Sequence, residues 1–204
     1  MTDIEFKKAL KYAAKELQVN TTMLSELDAI AGDGDHGITI GKIADIIMEE
    51  LETSMKPMDE LLDDCGWKFM SIGGGSAASL WGTLFMGFAK GLDGKKEFDE
   101  TALESMFTQG LMELGTISKA TEGDKTMMDA LIPAVNALRD SDGGLIEKLE
   151  AASSEAMKGT EKTKDYQAKY GRAKNLGERS IGHKDPGATS TAIFIKGMYL
   201  GAIQ

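Results

Sequence analysis

Asp28, Asp33 and Asp35 crowd one short stretch, Leu27-Asp28-Ala29-Ile30-Ala31-Gly32-Asp33-Gly34-Asp35-His36-Gly37. Carboxylates held this close repel one another: at an effective dielectric of about 20, two like charges ~4 Å apart cost about 4 kcal/mol. A hard divalent cation between them removes that cost, and an all-oxygen donor set suits magnesium or calcium, not zinc. Magnesium bound by carboxylates keeps coordination positions for water and for substrate phosphates. The stretch reads as a metal–phosphate site.

Two look-alike motifs fail on chemistry. Gly32, Gly34 and Gly37 satisfy G-x-G-x-x-G, but no β-branched run precedes them. The acids between them would also repel the pyrophosphate that such a loop must cradle. An EF-hand needs glycine at its sixth position and glutamate at its twelfth. Counting from Asp28 gives Asp33 and Thr39, and counting from Asp33 gives Ile38 and Ala44. The plain structural alternative is an acidic Gly/Asp turn that only caps the next helix.

The elements that must position these acids read as helices. Thr2-Asp3-Ile4-Glu5 is a capping box, followed by Phe6, Leu10, Ala13, Ala14 and Leu17 at helical spacing. Further helices are predicted over about 21–30, 38–51, 58–70 (opened by Pro57), 76–92, 99–119, 126–138, 145–163 and 187–203. The segment 73–75 is a glycine break, and about 164–186 reads as polar and irregular. No segment argues for a sheet. Short loops between successive helices imply an all-α, antiparallel up-and-down arrangement. The 204 residues suffice for one domain, 1–204, with a full core.

The net charge of −10 argues against nucleic-acid and anionic-membrane partners. No stretch resembles a signal peptide or a membrane span, so a cytoplasmic location is expected. The single cysteine, Cys65, sits in an apolar helical stretch and reads as a small core residue. Polar residues collect in four helix-joining loops, 32–37, 73–79, 122–128 and 171–189, each placed where a helix begins. Helix N-termini present free N–H groups and positive dipole, which suit phosphate. Both histidines, His36 and His183, fall in these loops.

Taken together, Asp28, Gly32-Asp33-Gly34-Asp35-His36-Gly37, Gly123-Asp124-Lys125-Thr126-Met127, Gly171-Arg172-Ala173 and the run from Leu176 to Ser190 resemble the ADP-binding L subunit of dihydroxyacetone kinases. The match spans essentially the whole chain in order and spacing. The resemblance implies an eight-helix antiparallel barrel or bundle with the nucleotide at one end. It implies two Mg2+ ions on Asp28, Asp33 and Asp35, which would be the catalytic centre, bridging the phosphates of ADP or ATP. It places nucleotide contacts at His36, Thr39, Ala77, Ala78, Ser118, Met127, Arg172, Asp185, Pro186 and Gly187. In the family the phosphoryl group passes to dihydroxyacetone held covalently on a histidine of a separate K subunit. Such chemistry rests on positioning and charge neutralisation more than on general acids and bases.

The chain departs from the family pattern beside the nucleotide. Gly74-Gly75-Ser76-Ala77-Ala78-Ser79-Leu80 replaces a Gly-Gly-Ala-Ser-Gly-Pro-Leu run, so Ala77 stands for a serine and Ala78 for a glycine. Thr39 stands for asparagine and Ser118 for glycine. The metal triad is unchanged. The donor stays open between a phosphotransferase-system M subunit that rephosphorylates bound ADP and ATP used directly. The acceptor stays open between dihydroxyacetone and a related ketose. A nucleotide-binding regulatory module without turnover is the alternative from another class, and the oligomeric state, a homodimer included, is open.

Overall fold

The computed structural model describes residues 1–73, 75–95 and 97–204. Among them there are nine α-helices and no strand. They are α1 (Asp3–Val19), α2 (Thr21–Ala29), α3 (His36–Thr53), α4 (Met58–Met70), α5 (Ser76–Leu92), α6 (Glu100–Ile117), α7 (Met128–Asp140), α8 (Leu145–Lys162) and α9 (Pro186–Ala202). All but the nine-residue α2 have 13 to 18 residues. The all-α expectation and the capping box at Thr2 and Glu5 are both borne out. The segment expected to be irregular after α8 contains two 3-10 turns, Thr163–Asp165 and Arg172–Ser180. Gly177 interrupts the second with a positive φ of 58°, a region open to glycine at little cost. No helix among the described residues is long and apolar enough to cross a membrane.

Each long helix packs on the next, from α1 to α3 and on through α8 to α9, and α9 returns to α1. The aromatic core gathers around α5. Trp81, Phe85 and Phe88 meet Phe69 of α4, Phe107 of α6 and Phe194 of α9. The Phe69–Phe85, Phe88–Phe107 and Trp81–Phe194 ring centroids lie 4.9, 4.9 and 5.4 Å apart. Such pairs add about 0.5–1.5 kcal/mol each beyond the area they bury. Cys65 is buried in this core, and burial pushes its thiol up to about 12, so it is inert as a nucleophile.

The order of packed helices also places the polar loops. The four loops found in the sequence open α3, α5, α7 and α9, which are alternate members of the run of long helices. When neighbouring helices run antiparallel, alternate members share a direction, so their N-termini gather at one end. Gly74, in the loop before α5, lies outside the described residues.

Two close approaches set the local geometry there. A Cβ at Gly37 would stand 1.9 Å from the Thr21 carbonyl oxygen, so α3 begins flush against α2. Pro133 inside α7 has no N–H to give the Asp129 carbonyl one turn earlier. Gly159 of α8 packs against that same oxygen, where a Cβ would stand 1.9 Å away.

A candidate carboxylate and nucleotide site

Asp28 ends α2, Asp33 stands on the loop and Asp35 occupies the N-cap of α3. One oxygen from each lies within 4.8 Å of the other two. Two local features make this possible. Gly32 leaves room for the Asp28 carboxylate, since a Cβ there would come within 2.5 Å of its Oδ1. Gly34 turns the chain with φ of 76°. The capping alternative does not account for Asp35, whose side chain accepts no N–H of α3. Asp28 Oδ2 accepts the His36 N–H instead, at 3.3 Å.

The donor set fits magnesium. Oxygens on opposite sides of an octahedral ion are separated by about twice the 2.0–2.1 Å bond length. The three carboxylates offer oxygens within 4.8 Å of one another, close to that spacing, and all three are at least partly exposed, which leaves room for a phosphate to join them.

Arg172 opens the 3-10 turn before α9 and reaches this cluster. Its guanidinium pairs with Asp33 and stands 3.8 Å from Asp35. His36 lies on the inner side. Its Nε2 is 3.0 Å from Ser190 Oγ of α9, and burial pulls its pKa down to about 4, the nearby Asp28 charge only partly opposing this. The imidazole is therefore neutral near pH 7.

Asp185 is the N-cap of α9 and accepts the Ala188 N–H at 2.6 Å. Burial raises its carboxyl to about 7. Pro186 follows at the first helical position, where its missing N–H costs nothing. Gly187 lies against Met127, with a Cβ there only 3.4 Å from the Met127 nitrogen. The structure thus brings Asp28, Asp33, Asp35, His36, Met127, Arg172, Asp185, Pro186 and Gly187 into two adjoining groups. Thr39 is buried one turn into α3. Ala77 and Ala78 lie in the first turn of α5, and Ser118 closes α6. Among the described residues no hydrogen bond or ion pair ties these last three to the carboxylates.

Residues 30–200 match the family described as the DAK2 domain. The chain belongs to the DAK2-domain family. A relative in Escherichia coli K12, the ADP-binding subunit DhaL of a PEP-dependent dihydroxyacetone kinase, is 37% identical over 183 residues, covering 88% of this chain and 87% of that one. The L-erythrulose 1-kinase of Mycolicibacterium smegmatis is 32% identical over 186 residues, covering 88% of this chain but 32% of that one. The dihydroxyacetone kinase of C. freundii, solved with AMP-PNP and Mg2+, superposes with a TM-score of 0.77 at 27% identity. That likeness covers 98% of this chain and 34% of the kinase, so the chain spans about a third of it.

Three further residues of this DAK2-domain chain belong to the same region and were not singled out by sequence. Asp129 is buried and accepts the Gly123 and Thr126 N–H groups at 2.6 and 2.7 Å, fixing the loop before α7. Burial raises its pKa and those two N–H groups oppose the rise. The spacing Thr126-x-x-Asp129 is a helix-start signal that could have flagged it. Lys125 and Ser190 lay inside recognised motifs, but only the fold gives them partners.

Proposed function

We propose that this chain is the nucleotide- and metal-bearing subunit of a dihydroxyacetone-type kinase, active with a separate protein that holds the sugar. The observation that carries this reading is the convergence of Asp28, Asp33 and Asp35 within 4.8 Å, faced by Arg172. The named relatives add support, being ADP-binding subunits and ketose kinases.

Asp28, Asp33 and Asp35 would hold Mg2+, two ions by family resemblance. Bound there, the metal would neutralise phosphate charge and fix the phosphates. The protein's own groups do the rest. Arg172 can move its guanidinium from the carboxylates to an incoming phosphate oxygen, a planar donor suited to that geometry. The α3 and α9 N-termini add positive dipole at the same end. His36, neutral and buried against Ser190, supports the loop rather than acting on substrate. Pro186 and Gly187, backed by the buried Met127, are assigned contacts to the nucleoside. Thr39, Ala77, Ala78 and Ser118 are assigned nucleotide contacts on resemblance alone.

An acceptor site on a partner is supported by His36. His36 is buried and therefore closed to a sugar, whereas the exposed His183 is tied to Lys125 only through its backbone carbonyl. Ile30 and Ile38 are exposed beside the carboxylate loop, apolar surface that a partner would cover. The partner is assigned as a K subunit, with an M subunit as the route by which bound ADP is rephosphorylated. The alternative of a related ketose rests on the erythrulose kinase relative.

The test is reconstitution. The purified chain with Mg-ATP and dihydroxyacetone should form no dihydroxyacetone phosphate, and adding a K subunit should start turnover. If turnover begins only when an M subunit and its phosphorylated carrier are added, the donor is the phosphotransferase system. Sustained turnover by the chain alone would overturn the subunit assignment.

A further inference from the structure

Lys125 combines two features that are each unfavourable alone. It is the only non-glycine residue with positive φ among the described residues, at 60°. Seven glycines take up the other positive φ values, Gly123 two positions earlier among them. A side chain with a Cβ resists this conformation. Lys125 is also buried, with 5% of its surface exposed, and burial lowers its pKa. A lysine head without strong partners does not stay in such a place.

Its partners are two carbonyl oxygens from different parts of the chain. The ammonium donates to Thr163 O and to His183 O, each at 2.5 Å. Thr163 follows the end of α8, and His183 lies two residues before the Asp185 cap of α9. The Thr163 hydroxyl in turn accepts the Asp185 N–H at 2.9 Å. The acids whose fields favour the charged amine, Asp185, Asp129 and Asp165, come from the same three segments. Two residues after Lys125, Met127 lies against Gly187.

We propose that Lys125 is a positioning residue for the nucleotide: its ammonium locks the Met127 loop onto the Asp185-Pro186-Gly187 turn, making the two nucleotide-gripping segments one fixed surface. This rests on the function proposed above only for the ligand's identity, a Mg–nucleoside diphosphate or triphosphate. The cross-link itself is a property of the chain. It explains why lysine stands where glycine would relieve the backbone, because glycine has no ammonium to bridge the carbonyls.

Lys125→Gly relieves the backbone and removes the bridge together. Lys125→Met keeps the length of the side chain and removes only the charge and its donors, and Lys125→Arg keeps both charge and donors. Circular dichroism would confirm helical folding. Calorimetry with Mg-ADP should show dissociation constants raised at least tenfold in the Gly and Met variants, with partial recovery in the Arg variant. With the partner subunit present, KM for nucleotide should rise in parallel while kcat at saturation stays within threefold. In the nucleotide-free chain, amide exchange at Gly182 and Asp185 should quicken at least tenfold in the Gly and Met variants.

A folded Lys125→Gly chain with wild-type Mg-ADP affinity and wild-type exchange would overturn the proposal. If Lys125→Gly does not fold, the same readings on Lys125→Met decide it. A wild-type chain that binds no Mg-ADP would count against the proposed function, and the exchange measurement would then decide the cross-link by itself.

Discussion

Arg172 pairs with Asp33 across the gap between the 3-10 turn before α9 and the loop before α3, and its guanidinium lies 3.8 Å from Asp35. All three side chains are about half exposed, so the pairing adds little stability. Its importance is that a fixed cation and the candidate metal compete for the same carboxylates. Arg172→Ala should therefore bind Mg2+ alone severalfold more tightly. It should bind Mg-ADP about tenfold more weakly, through loss of one charge-assisted contact to phosphate. Paired calorimetric titrations check both signs.

Asp33→Asn and Asp35→Asn should abolish phosphoryl transfer in the reconstituted system while leaving the helical spectrum intact. Neither residue is in the core, and each substitution relieves repulsion within the carboxylate cluster. Melting temperatures without magnesium should be unchanged or higher. Full activity in either variant would remove the metal assignment.

Asp129→Ala should destabilise the chain by about 2–4 kcal/mol, because the Gly123 and Thr126 N–H groups lose their acceptor at a buried loop. For a chain of this size that is a fall of roughly 4–16 °C in melting temperature. Asp129→Asn, which keeps one acceptor oxygen, should fall between the two.

Asp185 gives a pH-dependent test. Burial raises its folded pKa from 3.8 to about 7. Between those values the unfolded chain has lost the proton and the folded chain retains it, so this contribution to stability falls as pH rises, and levels off above about 7. The slope is about 1.4 kcal/mol per pH unit at most. The Asp185→Asn substitution keeps a capping oxygen for the Ala188 N–H but removes the ionisable group. The melting temperature of Asp185→Asn relative to wild type should therefore climb between about pH 4 and pH 7 and then stay flat. A parallel pair of curves would show that Asp185 is ionised throughout.

Much of this molecule is legible without coordinates, for a local physical reason. Helical periodicity, the capping box at Thr2 and Glu5, and Pro57 and Pro186 at helix starts act within one or two turns, so the helices were readable to within a few residues. The acid triad was readable because Asp28, Asp33 and Asp35 are close in sequence, and like charges held together demand a cation. The polar 3-10 turn at Arg172–Ser180 was not readable as a helix, having no apolar stripe to mark it.

Contacts between distant segments were decided by the tertiary structure alone. Arg172 and Asp33 are far apart in the chain, as are His36 and Ser190, and Lys125 and His183. Motif resemblance could mark these residues, but not which pairs meet. Packing of distant segments brings the loops before α3, α7 and α9 together, through His36 with Ser190 and Lys125 with His183. Burial there then sets the chemistry, holding His36 neutral, raising Asp185 and enclosing the Lys125 ammonium between two carbonyls. Desolvation depends on every neighbour at once, and a chain read one residue at a time contains no statement of who those neighbours are.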